Sequence, residues 1–166
     1  MHKQRPFFLC NGWVIIGSMT DKPTEERIRS VIERFGLEPL PREGGFFRFI
    51  SGFGNGAGMI YYMVTKDSFS HLHSLSEDEA WFFLEGDELE QTIVGSDMIV
   101  RKNKLNSENR TSIVQKNCFQ ATRIPRPVLG YSLVCTAMSP HYEDSMYTHG
   151  ADVPQLREMK ELGELL

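Results

Sequence analysis

The sequence predicts an all-β protein, a closed antiparallel barrel or jelly roll with one helix near its start and a short one at its end. Three observations carry that expectation. From Phe46 onward the chain is a series of short apolar runs, broken by Gly, Pro, Asn, Asp and Ser at spacings of about 8–12 residues. Helical periodicity is confined to two stretches, one early and one late. Between Phe69 and Asp87 two histidines, an acidic turn and an aromatic run follow each other at spacings that make chemical sense when alternate side chains share a face.

Length and charge bound the rest. A chain of 166 residues suits one domain with a sizeable core. It divides into an N-terminal strand extension (1–19), a barrel domain (20–150, including a helix over 23–35) and a C-terminal helix (151–166). The net charge of −4 argues against nucleic acid as a partner, because phosphate binding needs a basic face. No apolar run approaches the ~18 residues of a membrane span. Cys10, Cys118 and Cys135 are too few and scattered for a disulfide framework, so a reducing, cytoplasmic setting is expected.

Taken in order, the chain opens on Phe7–Cys10 and Trp13–Ile16 around Asn11-Gly12, a hairpin turn signal because both residues tolerate positive φ; two strands or one edge strand are expected, with a cleaved leader as the alternative that the basic start and apolar runs imitate. Thr20–Gly36 follows as a helix: Pro23 suits the first turn, Glu25 and Glu26 complement its positive end, and Ile28, Val31, Ile32 and Phe35 form one stripe. Pro39 and Pro41 then impose an extended linker. Gly44 and Gly45 allow a bend into a strand over 46–51, and the glycines at 52, 54, 56 and 58 read as a loose loop. Residues 58–65 are apolar on both faces. Further strands are expected at 89–94, 98–101, 112–115, 119–124 and 131–137, with 102–111 as a surface loop. Leu156, Met159, Leu162 and Leu165 mark an amphipathic helix over 153–166.

The chemistry concentrates at Phe69–Asp87. In a strand His71 and His73 point the same way, and Glu79, Trp81 and Phe83 share a face of the next one. If both faces turn inward, two imidazoles and a carboxylate meet in an aromatic-lined cavity. Glu43-Gly44-Gly45-Phe46-Phe47-Arg48 is either a structural corner or places Glu43 and Arg48 at the rim of that cavity. His141 and His149 fall outside any ligand spacing and read as surface residues.

These residues carry a resemblance. His71-x-His73, Glu79 and Gly86 resemble the first motif of the cupin superfamily, with five residues rather than three or four between His73 and Glu79. That gap, the run DEAWFFLEGD after it and LEPLPREGGFFRF before it are similar to the DUF985 (Cupin_5) group, over roughly Thr24 to Tyr142. The resemblance implies a cupin double-stranded β-helix, a homodimer in which the N-terminal strand takes part, and a pocket that binds a small polar metabolite, sugar-like or an organic acid. It implies substrate contacts from Glu43, Phe46, Arg48, Tyr62, Trp81, Phe83 and Gln120. A divalent transition metal (Fe, Mn, Ni or Zn) would be held by His71, His73, Glu79 and Gln120. Gln120 stands where the superfamily has its second-motif histidine, and Phe82 where the group has a histidine after the tryptophan. Without a metal, His73 oriented by Glu79 can serve as a general base with Tyr131 or Tyr62 as the acid, an arrangement similar to sugar-nucleotide epimerases. A binding or structural cupin with a vestigial site is the alternative.

Overall fold

Alternation of apolar side chains turns the chain into two facing antiparallel sheets in a computed structural model that describes residues 22–166. The hairpin and dimer strand expected over 1–19 lie outside the described residues. The first sheet runs, in spatial order, β1 (Glu38–Pro39), β2 (Phe46–Phe53), β3 (Ala57–Thr65), β10 (Tyr131–Met138), β5 (Glu79–Gly86) and β8 (Thr111–Val114). The second runs β11 (Tyr147–His149), β4 (Ser70–Leu75), β9 (Phe119–Arg123), β6 (Leu89–Val94) and β7 (Val100–Leu105). The two antiparallel sheets are those of the jelly-roll barrel that the spacing of turns predicts, with helices confined to the outside.

Three apolar layers follow from strand parity. Tyr62, Val64, Trp81, Phe83, Leu89, Leu105 and Val134 interdigitate between the sheets. Outside the first sheet, helix α1 (Lys22–Phe35) lays Ile28, Val31, Ile32 and Phe35 on Tyr61, Met63, Tyr131 and Leu133. Gly36 ends it at φ +60°, and the Arg48 guanidinium donates to the Phe35 carbonyl at 3.0 Å. Outside the second sheet, Leu156, Leu162 and Leu165 cover Leu72, Val94 and Ala121.

Some expected elements differ. The C-terminal segment is not one amphipathic helix: a single α turn, α2 (Pro154–Arg157), is followed by 3-10 turns over Lys160–Leu165. Met159 at ψ 102° breaks the helix, yet the leucines still reach the sheet. The polar run at 102–105 is strand and not loop. Lys102 and Lys104 lie opposite Thr92 and Glu90, and their ammonium groups reach Glu90 and Glu88 at 2.9 and 2.8 Å. Charged side chains suit such an edge. The glycine-rich stretch is also shorter as a loop, since Phe53 pairs with Ala57 and only the tip carries positive φ at Gly54 and Gly56. No helix among the described residues is long and apolar enough to cross a membrane.

Candidate functional site

A cavity of about 540 Å3 lies between the sheets. Phe47 and Phe49 of β2, Ile60 and Tyr62 of β3, Trp81 of β5 and Tyr147 of β11 supply its apolar walls. Charge enters through Arg42, Glu43, Glu79 and Asp144, with His141 also at the lining.

Glu43 arrives on a turn that only glycine permits. Gly44 and Gly45 have φ of +90° and +70°; a Cβ on Gly44 would lie 2.3 Å from the Phe69 carbonyl oxygen, and one on Gly45 2.6 Å from the Tyr62 hydroxyl. Three hydrogen bonds lock the turn. The Tyr62 hydroxyl donates to the Gly44 carbonyl at 2.9 Å, the Gly45 N–H to Ser68 Oγ at 2.8 Å, and the His71 N–H to the Glu43 carbonyl at 2.8 Å. The Glu43 carboxylate then faces inward, Oε1 accepting from Ser70 Oγ at 3.1 Å and Oε2 lying 3.8 Å from His73 Nε2.

Glu79 is the buried acid. Its Oε2 accepts from Gln120 Nε2 at 2.6 Å and from Trp81 Nε1 at 2.9 Å. Burial, and next the Glu43 carboxylate, raise its pKa above the ordinary 4.5; His73, Gln120 and Thr136 pull the other way without prevailing. Burial and Glu43 likewise hold the Tyr62 phenol well above its ordinary 10.0, so it stays protonated and donates to Gly44.

His73 is 1% exposed, stacked on Tyr147 with centroids 5.2 Å apart and planes at 14°. Its Nδ1 lies 2.8 Å from the His71 carbonyl, which can only accept. Nδ1 therefore carries a proton, and Nε2 is the end turned to Glu43.

The two histidines do not behave as a simple alternating pair. Ser70 pairs with Thr122 and His73 with Gln120, so the register slips by one residue between them. The bulge re-aims His71: its ring packs 4.4 Å from Phe69 and 6.3 Å from His149, outside the cavity lining. Ser70 takes the place beside Glu43 instead.

Of the residues singled out from sequence, Glu43, Tyr62, Glu79 and Trp81 line the cavity, while His73 and Gln120 lie behind the two acids and touch them. Phe83 is buried between the sheets without lining the cavity. Phe46 and Arg48 are corrections: they share the face under α1, and Phe47 is the β2 aromatic that enters the cavity. Tyr131 is a second correction. On β10 the residues Val134 and Thr136 point between the sheets, so Tyr131 and Leu133 face the helix, and the Tyr131 hydroxyl donates to Glu85 Oε1 at 3.1 Å. Gly86-Asp87 closes the motif structurally, with the Asp87 carboxylate accepting from the N–H groups of Val128, Leu129 and Gly130.

Sequence reasoning missed Phe47, Tyr147, His149 and Tyr142, while His141, expected at the surface, is exposed at the cavity's edge. His149 pairs in register with His73, and its Nδ1 lies 3.0 Å from the Tyr147 hydroxyl. Burial lowers its pKa below 6.5, with Asp152 opposing and His71 adding to the decrease. Tyr147-x-His149 carries the same alternation as His71-x-His73, but nothing in its local sequence marks it as an inward strand.

The implied metal ligands do not fit a resident metal as they stand. Among the described residues no group of three or more His, Cys, Asp or Glu could hold an ion. Glu79 Oε2 already takes two N–H donors, and Gln120 turns its amide N–H toward that oxygen. His71 Nδ1 and Gln120 Oε1 are buried without hydrogen-bond partners, yet Gln120 Oε1 faces away from the carboxylate and His71 has been re-aimed by the bulge.

Solved structures share this architecture. A hypothetical protein from Leishmania major is 20% identical, with a TM-score of 0.75 over 82% of this chain and 97% of its own. A protein from Shewanella oneidensis is 23% identical, with a TM-score of 0.71 over 82% and 94%. A Bacillus subtilis oxalate decarboxylase, studied for its Mn(II) centres, is 15% identical with a TM-score of 0.55, over 76% of this chain but only 35% of its own. At such identities the likeness is one of fold. None of the curated proteins matches the sequence. The family model described as "Cupin superfamily (DUF985)" matches residues 29–149, from the second half of α1 through β11, and the chain belongs to that family, Cupin_5.

Proposed function

We propose that this chain is a small-molecule cupin that binds a polar metabolite in the cavity between its sheets and moves a proton at the cavity's inner end. The supporting observation is that Glu43, brought in by the Gly44-Gly45 turn, and Glu79 both line an aromatic cavity, with His73 behind Glu43 at 3.8 Å. A carboxyl with a raised pKa can donate a proton nearer neutrality, and His73 Nε2 or Glu43 can accept one. Such a pair fits an isomerase or epimerase that acts beside a carbonyl. Trp81 and Phe47 offer flat apolar surface to the body of the ligand.

The decarboxylase likeness makes a divalent metal worth testing, although no step is derived through one. Metal analysis of protein purified from supplemented medium is expected to give well under one equivalent. Thermal-shift measurements against sugars, nucleotide sugars, organic acids and amines should find a binder that raises the melting temperature by mass action. His73→Ala should abolish turnover of that binder. A His73→Ala protein that binds and converts it unchanged would remove the proton-transfer reading and leave a purely binding cupin, which the double engagement of Glu79 Oε2 by Gln120 and Trp81 favours as the alternative. Homodimerisation is likewise a proposal, tested by the mass of the particle in solution.

A further inference from the structure

We propose that the ligand of this cavity is a small organic cation, an amine carrying an apolar or aromatic body; this rests on the cavity being the ligand site. The neutral hydrogen-bond donors deep in the cavity are engaged, whereas one carboxylate oxygen, Glu43 Oε2, is not. The Trp81 N–H is held by Glu79, the Tyr62 hydroxyl by the Gly44 carbonyl, and the Thr136 hydroxyl by Glu79. Tyr147 meets His149 at 3.0 Å, and His141 Nδ1 meets the Gly56 carbonyl at 3.1 Å. A sugar or a carboxylate would find few N–H or O–H groups to greet it. Glu43, by contrast, keeps acceptor capacity, since its Oε2 lies 3.8 Å from its nearest basic neighbour, beyond hydrogen-bond range.

Charge points the same way. Glu43 and Asp144 line the cavity as carboxylates, beside the buried Glu79 that holds its proton more tightly than usual, and Arg42 is the fixed cation among the lining residues. Arg42 stays at the exposed rim, its guanidinium 5.0 Å over the Tyr147 ring and 3.9 Å from the exposed Asp152 carboxylate. That contact at the rim is a cation resting on a lining aromatic with an exposed carboxylate alongside. An ammonium ligand repeats the arrangement deeper in, with its N–H groups on Glu43 and its body against Phe47, Tyr62 and Trp81.

The test uses three probes of matched shape: 2-phenylethylamine, 2-phenylethanol and 3-phenylpropionate, titrated calorimetrically into the full chain and into Glu43→Gln. The isosteric amide keeps an oxygen for Ser70 and removes the charge. The amine should bind at least about tenfold tighter than the alcohol, the acid more weakly than either, and Glu43→Gln should close the gap while leaving alcohol binding intact. Retained alcohol binding by the variant shows that its cavity is folded. Alcohol or acid binding as tightly as the amine would overturn the cation inference and leave the cavity reading standing. If none of the three binds, the cation inference falls, and the cavity reading falls with it only if the wider metabolite panel also fails.

Discussion

Replacing Glu79 separates the two things this residue does. Its Oε2 accepts from Gln120 and Trp81, whose residues are each 1% exposed, so Glu79→Leu leaves two buried N–H donors unpaired. Each orphaned donor costs about 1–3 kcal/mol, or about 2–6 kcal/mol together. The lower figure corresponds to roughly 4–8 °C in Tm for a chain of this size. Glu79→Gln keeps an oxygen for both donors and removes the ionisation, so it should cost far less. The pH dependence tests the second role. Burial and Glu43 raise the Glu79 pKa above 4.5, so the folded state holds this proton more tightly than the unfolded chain does. The stability it contributes is full below that ordinary value and is lost as pH rises through the raised folded value. Denaturant titrations of both proteins from about pH 4 to about pH 8 should therefore show the wild type losing stability relative to Glu79→Gln as pH rises. A wild-type-minus-variant difference that is flat across that range would refute the reasoning, as would a Glu79→Gln protein as unstable as Glu79→Leu.

Three further predictions concern the surroundings. Gly44→Ala meets the Phe69 carbonyl at 2.3 Å with φ at +90°, so it should cost well beyond the ~1 kcal/mol of left-handed strain and weaken ligand binding by displacing Glu43; near-wild-type stability and binding would contradict the role given to the turn. Tyr131→Phe removes only the outer-face bond to Glu85, about 0.5–1.5 kcal/mol, and should leave ligand affinity unchanged; a large loss of affinity would return Tyr131 to the site. His149, held neutral mainly by burial, should titrate by NMR with a midpoint below 6.5, and its contribution to stability, present above that value, should be lost as pH falls through the midpoint. A midpoint at or above 6.5 would show that His149 is not buried beside His71 as described.

Much of the fold was legible because strand parity is a local property. Glu79, Trp81 and Phe83 alternate with Ala80, Phe82 and Leu84 in sequence, and the same alternation separates buried from more exposed side chains in β5. The helical stripe of α1 was equally plain, because its apolar spacing matches one face. Where a bulge intervened, parity misled: the one-residue slip between Ser70 and His73 puts Ser70 beside Glu43 and moves His71 aside. Tyr131, Phe46 and Arg48 went astray for a related reason. Their strands are apolar on both faces, because the barrel interior lies on one side and α1 on the other, and composition cannot tell the two apart.

The sequence by itself determined the alternation, the turns and the glycines at 44 and 45, since each follows from what a residue's own backbone and nearest neighbours allow. Only the tertiary structure decided that Glu43, 36 residues before Glu79 in sequence, would line the same cavity, and that Tyr147 and His149 would return to lie against His73. Those meetings depend on strand order and register, which are set by packing two sheets against each other and leave little trace in any local stretch of chain.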